Sequence, residues 1–258
     1  MRFSKWHALG NAYLLVERAE GTPLLDPETA RRLCDPHTGI GSDGVLEVAP
    51  DGSAAEVTVW NPDGSQAEFS GNGARIAAAW LAARAGVSDV ALRFGGRQVA
   101  ATVRECEGDV EVDVGPVEVG PREELAADGE RIELTPVSVG NPHAVIRGDL
   151  EDVERLGPLV EHHPRFPERT NVQLVRVLGS HALEIAIWER GVGLTRSSGS
   201  SSVAAAAAAV ANGWCESPVH VGVPDGGALT VSLADGRARL AGPVEEICRG
   251  ELVPARAR

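Results

Sequence analysis

The sequence predicts an α/β protein, α+β in its arrangement, made of two pseudo-symmetric halves, each a barrel-like set of short strands around a central alanine-rich helix. Three observations predict it. Trp60-Asn61-Pro62-Asp63-Gly64 is matched by Trp188-Glu189-Arg190-Gly191-Val192, and each tryptophan closes an apolar stretch of strand character, 55–60 and 183–188. Ten residues after each tryptophan stands Ser-Gly, at Ser70-Gly71 and Ser198-Gly199. Each Ser-Gly opens an alanine-rich segment, 74–85 or 203–211, that runs to a glycine, Gly86 or Gly213. The offset is 128 residues from Trp60 to Trp188 and again from Ser70 to Ser198.

The elements follow in order. Met1 to His7 reads as strand material with no apolar signal core, so the chain is expected to stay in the cytoplasm. Gly10-Asn11-Ala12 leads into a strand over 13–17, as Gly140-Asn141-Pro142 leads into one over 144–146. Pro27–Cys34 is helical in character. Asp43 precedes a strand over 45–48, as Asn171 precedes one over 172–177. The segments 74–85 and 203–211 are apolar on most sides, as a helix enclosed by strands must be, and a glycine suits the left-handed residue after a helix end. Gly115-Pro116-Val117-Glu118-Val119-Gly120-Pro121 reads as the linker, and 122–133 as an exposed connection. The halves are therefore expected at 1–115, joined by the tail 244–258, and at 116–243, with an active-site cleft between them into which the repeated loops point.

Composition narrows the function. Acidic residues outnumber basic ones 37 to 24, for a formal charge of −13, so nucleic acid and anionic membranes are not expected partners. The longest apolar run, 203–211, is about half the roughly 20 residues needed to span a bilayer. Cys34, Cys106, Cys215 and Cys248 show no metal-ligand spacing and read as buried or half-buried fillers, and no metal site is expected. Lys5 is the only lysine and sits at the start of the first strand, which leaves no suitable Schiff-base lysine for pyridoxal phosphate. Any amino-acid chemistry is expected to need no cofactor.

Each repeated Ser-Gly places the free N–H groups of a first helical turn, and the positive end of the helix dipole, at a loop. One such serine is an ordinary cap. Two related by a repeat point to a small carboxylate held between them. Around them stand Asn11, Asn61, Asn141 and Asn171, each singly a common turn residue, with Glu189 and Arg190. Asparagine offers both a donor and an acceptor to a zwitterion, and arginine can clamp a carboxylate through parallel bonds.

The motifs that fill these positions are long. They are Phe3-Ser4-Lys5-Trp6-His7-Ala8-Leu9-Gly10-Asn11, Gly39-Ile40-Gly41-Ser42-Asp43-Gly44, Asn61-Pro62-Asp63-Gly64-Ser65, Ser70-Gly71-Asn72-Gly73-Ala74-Arg75, Gly140-Asn141-Pro142-His143, Arg165-Phe166-Pro167-Glu168-Arg169-Thr170-Asn171 and Glu189-Arg190-Gly191-Val192-Gly193. At these residues the chain resembles the diaminopimelate epimerase family over nearly its whole length. The resemblance implies cofactor-independent inversion of one α-carbon of LL-diaminopimelate to the meso form, in amino-acid biosynthesis, by a homodimer. It also implies that Asn11, Asn61, Asn141, Asn171 and Arg190 hold the distal amino-acid end, that Gly71-Asn72 and Gly199-Ser200 bind the reacting carboxylate, and that His143 and Glu189 support proton transfer.

Ser70 and Ser198 stand where the family carries its two thiols. Leu194, Ala12 and Ser201-Ser202 also depart from the family pattern, which fits a diverged relative. A thiol near pKa roughly 8.5 can be brought to thiolate at a helix start, whereas a serine hydroxyl needs a partner base. The two-thiol mechanism is therefore not available to this polypeptide. The candidate bases are His143, Glu189 and Asp43, Glu189 foremost, with Ser70 and Ser198 as relays or as donors to the carboxylate. The alternatives are a thiol-free isomerase or dehydratase using Glu189 or His143 on another acid, and an amino-acid-binding protein that has lost the chemistry.

Three further features are set aside. The run from Gly39 to Gly44 spells a dinucleotide fingerprint, but follows a helix and precedes a strand, the reverse of the required order. His162-His163 reads as a solvated turn, and Trp60 and Trp188 as core pillars of the two repeats.

Overall fold

The computed structural model describes residues 1–19, 24–104, 109–224 and 227–253. Cys106 lies outside the described residues, as do 254–258 of the tail. Two compact units divide the chain, Met1–Val112 with Gly242–Arg258, and Asp113–Ala241.

In the first unit β1 (Arg2–Ala8) turns through Leu9 and Gly10 into antiparallel β2 (Asn11–Glu17). Helix α1 (Pro27–Cys34) carries the chain to β3 (Val45–Asp51), which is parallel to β2. β4 (Ala54–Trp60) runs antiparallel to β3 and to the short β5 (Gln66–Ala67). Helix α2 (Gly71–Ala85) leads to β6 (Asp89–Phe94), parallel to β4, and β7 (Arg97–Arg104) and β8 (Asp109–Pro116) follow as antiparallel neighbours. Parallel neighbours cannot be joined by a tight turn, so both helices fall where the chain must cross back over the sheet.

The second unit repeats this order. After β9 (Glu118–Val119) and β10 (Glu123–Ala127), β11 (Glu130–Ser138) pairs antiparallel with β12 (Pro142–Arg147). Helix α3 (Val153–Glu161) precedes β13 (Asn171–Gly179), parallel to β12, and β14 (Ala182–Glu189) pairs antiparallel with β13 and with β15 (Gly193–Thr195). Helix α4 (Gly199–Ala211) leads to β16 (Val219–Val223), parallel to β14, then to β17 (Gly227–Ala234) and β18 (Arg237–Pro243). The last strand, β19 (Glu245–Glu251), lies antiparallel on β1, in the place that β10 takes on β11.

Within its own unit α2 touches β1, β2, β3, β4, β6 and β7, and α4 touches β11, β12, β13, β14, β16 and β17. A flat sheet cannot present six strands to one helix, so each sheet curls around its helix. This explains the alanine content. Ala74, Ala77 and Ala78 in α2, and 203–209 in α4, are all buried, and side chains this small let strands approach from every direction. Gly86, at φ +69°, ends α2 with its N–H on the Ala82 carbonyl at 2.9 Å.

Three expectations are corrected. Residues 115–121 are not a free linker: β8 runs to Pro116, and β9 pairs with β11 at Glu118 and Val119. Val110, Val112 and Val114 are buried in alternation, and that period of two extends the strand into the Gly-Pro-rich segment. Residues 122–133 are not an open connection but most of the β10–β11 hairpin, with Leu125, Ile132 and Leu134 buried between exposed charges. Cys34 and Cys215 are buried, but Cys248 is exposed, because β19 leaves both its faces largely open.

Trp60 is buried among Leu14, Val16, Leu33 and Val45, and Trp188 packs against the corresponding cluster of the second half. Each indole N–H finds a buried carboxylate: Trp60 Nε1 donates to Glu47 at 3.1 Å and Trp188 Nε1 to Glu161 at 2.7 Å. Burial alone would raise the Glu161 carboxyl, but the Trp188 and Gly191 N–H groups, with His162 and Arg169 nearby, hold it below the ordinary value. His162 is exposed at the end of α3. Among the described residues no three His, Cys, Asp or Glu side chains gather as a metal-binding set, and no helix is long and apolar enough to cross a membrane.

Candidate active site

In the first half Ser70 is the N-cap of α2, with extended backbone (φ −137°, ψ 120°), and its Oγ accepts from the Gly73 N–H at 3.0 Å. The same Oγ lies 3.0 Å from the phenol oxygen of Tyr13, on β2. Two residues on, Asn72 is buried and belongs to a chain of side-chain hydrogen bonds. Arg75 Nη2 donates to Asn72 Oδ1 at 2.9 Å, Asn72 Nδ2 to Asn11 Oδ1 at 3.0 Å, and Asn11 Nδ2 to Asp43 Oδ2 at 3.2 Å. A guanidinium can only donate and a carboxylate can only accept, so the two ends fix which way both amides point.

The β1–β2 turn places Asn11. Leu9 and Gly10 both have positive φ, +50° and +84°, the pairing that a two-residue hairpin matched to strand twist requires. Asp43 ties the start of β2 from the other side by accepting the Ala12 N–H at 2.7 Å. The second half uses the equivalent position with the opposite chemistry. Pro142 has no N–H to give, and there Asn171 Nδ2 donates to the Pro142 carbonyl at 2.9 Å while its Oδ1 accepts the Arg190 N–H at 3.1 Å. The repeat thus carries aspartate where the strand start offers a donor, and asparagine where it offers an acceptor.

Arg75 is fully buried, and its Nε and Nη1 have no hydrogen-bond partner among the described residues. Burial pushes its pKa down to about 10, with Asp109 partly offsetting that.

In the second half Ser198 is the N-cap of α4 and accepts from the Ser201 N–H, while its carbonyl accepts the Ser202 N–H and hydroxyl, each at 3.0 Å. Ser200 Oγ lies 3.4 Å from Ser198 Oγ, and Ser201 Oγ accepts from Gln173 Nε2 at 3.0 Å. Glu189 is half-buried at the end of β14. Burial raises its carboxyl, partly countered by the neighbouring hydroxyls of Ser198 and Thr195. A carboxylate raised in this way, with a serine hydroxyl beside it, has the character of a proton acceptor tuned toward neutral pH.

His143 is buried on β12, its Nε2 3.0 Å from Asn141 Oδ1. Burial pushes its pKa down to about 3; Gln173 partly counters this, and the Arg190 charge adds to it. An imidazole this weakly basic is neutral at physiological pH and a poor proton acceptor, so of His143, Glu189 and Asp43, Glu189 has the electrostatics of a base. The Asp43 carboxylate is already engaged by two donors.

Asn11 and Asn72 are thus brought together with Ser70 adjoining, as are Asn171 with Arg190, Asn141 with His143, and Glu189 with Ser198. Asn61 is bonded within its own turn, its Nδ2 donating to Ser65 Oγ at 2.9 Å. The Arg190 guanidinium donates to the Glu168 carbonyl at 3.1 Å. From the sequence no role attaches to Tyr13, Arg75 or Gln173, and Ser201 stands out only as a departure from the family pattern. Arg75 alone carries a legible signal, as the one charge in the first three turns of an alanine-rich helix.

The diaminopimelate epimerase family profile matches residues 3–120 and 135–245. The chain belongs to the diaminopimelate epimerase family. Relatives include diaminopimelate epimerases of Synechocystis, 37% identical over 97% of this chain and 98% of that protein, and of Azotobacter vinelandii, 36% identical over 98% and 99%. Among solved structures, a predicted epimerase from Pseudomonas aeruginosa aligns with TM-score 0.71 at 20% identity, covering 98% of this chain and 99% of that one. A hydroxyproline epimerase from Agrobacterium vitis gives 0.71 at 15%, covering 98% and 90%. A phenazine biosynthesis protein from Bacillus anthracis gives 0.72 at 12%, covering 98% and 99%. These three share the fold of two repeated halves.

Proposed function

We propose that this member of the family is a cofactor-independent amino-acid epimerase that interconverts LL- and meso-diaminopimelate, or acts in the same way on a close analogue, using groups from both repeats. The observation that carries this reading is the half-buried Glu189 carboxyl, raised by burial and set beside the Ser198 cap. Serine hydroxyls are too weakly acidic to stand ionised near neutral pH, so the α-proton passes to Glu189 rather than to a thiolate. Ser198 and Ser70 serve as hydroxyl partners of that transfer. The N–H groups of Gly71-Asn72 and Gly199-Ser200 receive the reacting carboxylate, and Asn11, Asn61, Asn141, Asn171 and Arg190 hold the distal end. His143, kept neutral, orients Asn141 rather than carrying the proton. The reading includes a homodimer working in the cytoplasm, with no cofactor or metal.

The test is incubation with LL-diaminopimelate in heavy water. The wild-type protein is expected to incorporate deuterium at the α-carbon and form the meso isomer, and Glu189→Gln to lose on the order of 100-fold or more of both. Absence of exchange by the wild-type protein with diaminopimelate and its close analogues would remove the reading.

A further inference from the structure

We propose that Tyr13 and Ser70 act as one proton-carrying pair, the Tyr13 phenol standing behind the Ser70 hydroxyl and supplying the proton that serine passes to the substrate. The inference rests on the epimerase reading above and names the proton source of the first half. Four observations support it. The two oxygens are 3.0 Å apart, within reach for direct transfer. The Ser70 oxygen also accepts the Gly73 N–H at 3.0 Å, so it keeps its position while its own proton is free to leave and be replaced. The pairing is also built in: Tyr13 is buried, and a Cβ at position 44 would stand 2.6 Å from its Cε1 and 2.7 Å from the Trp60 carbonyl, so only Gly44 lets the ring lie where its hydroxyl meets Ser70. Ser70 is half-buried, whereas Tyr13 is nearly enclosed, which fits a hydroxyl that meets the substrate backed by one that does not.

Chemically, a serine hydroxyl alone is a poor acid, and a phenol, near pKa roughly 10, is a far better one. As the α-carbanion takes the Ser70 proton, a C–H bond forms and the Ser70 O–H bond breaks. The Tyr13 O–H bond breaks in the same motion and re-forms the Ser70 hydroxyl, leaving the negative charge on the phenolate, where it is more stable than on an alkoxide. In the reverse direction the phenolate draws the proton back through serine. Tyr13 is a positioning and relay residue in this scheme, and Ser70 is the group that touches the substrate. The second half has no such pair at its cap. Its partner there is Glu189, so the two directions of the reaction draw on unlike groups.

Tyr13 is the only tyrosine in the chain, so tyrosinate absorption titrates it alone, with no substrate present. Ser70→Ala is expected to move that midpoint upward by about one pH unit, a tenfold change, as the phenolate loses the hydrogen bond from Ser70. In heavy water with diaminopimelate, Tyr13→Phe is expected to keep exchange with retention through Glu189 while inversion falls at least about tenfold, raising the ratio of exchange to inversion. A purely structural tyrosine would slow both together, and urea unfolding of Tyr13→Phe and Ser70→Ala checks that each is folded. If the wild type exchanges and inverts while Tyr13→Phe leaves their ratio unchanged, or Ser70→Ala leaves the midpoint unmoved, the relay is overturned and the epimerase reading stands. A wild type that exchanges nothing removes that reading and the relay with it.

Discussion

Acidification should unfold this protein through His143, and the size of the effect follows from its surroundings. The imidazole sits at about 3 in the folded chain against an ordinary 6.5, chiefly because burial disfavours its charged form. At about 1.36 kcal/mol per pH unit of difference, that is worth about 5 kcal/mol when complete. Between the two values the unfolded chain binds a proton that the folded one refuses, so stability is full above pH 6.5 and falls as the pH drops toward 3. At pH 4 the group should have cost about 3 kcal/mol relative to pH 7. Glu189 works in the opposite sense, because a carboxyl raised in the fold is relieved as it protonates, so the total slope mixes several groups. His143→Gln isolates the term, since its amide can reach Asn141 in place of Nε2 and does not titrate. Urea unfolding from pH 7 to pH 4 should give a wild-type slope one proton steeper than that of the variant. His143 is the only buried histidine of the seven, and its ring resonances should show no titration above pH 4. Parallel stability curves for the two proteins, or a His143 midpoint near 6.5, would refute the reasoning.

Arg75→Met is expected to separate stability from activity. It removes one charge-assisted hydrogen bond, worth about 1.5–3 kcal/mol, and strands Asn72 Oδ1. It also removes a buried guanidinium whose Nε and Nη1 have no partner among the described residues, at about 1–3 kcal/mol each, so unfolding free energy should hold steady or rise by about 1 kcal/mol. The KM for diaminopimelate should meanwhile rise, because Asn72 and Asn11 lose the charge that sets their direction; a loss of more than about 3 kcal/mol in urea melts would contradict this balance. Gly157→Ala should destabilise by about 2 kcal/mol despite a helix-propensity gain of about 1 kcal/mol. Its Cβ would lie 2.5 Å from Trp188 Cγ, and that indole is held by its bond to Glu161, so a more stable variant by chemical denaturation would count against the packing argument.

Much of the fold was legible because the chain is written twice. Two Trp-closed strands and two Ser-capped helices recur at one spacing, each helix running to a glycine, and alanine-rich segments are strong helix formers whose small side chains suit a helix enclosed by strands. The misread segments, 115–121 and 122–133, share a cause. Glycine, proline and charge say loop locally, while alternation of single buried residues, Val114 or Leu125, says strand only when a partner strand is there to make one face the inside.

For the candidate site, residue types and helix starts could be read along the chain, because capping is a matter of neighbours in sequence. Partnerships could not. That Arg75 points two asparagines at one carboxylate, that a lone tyrosine meets Ser70, and that His143 is buried deeply enough to stay neutral depend on residues up to 61 positions apart meeting in space. Sequence composition supplies the groups available for chemistry, while burial and hydrogen-bond direction, which exist only once the sheets have curled around their helices, assign each group its partner and its charge.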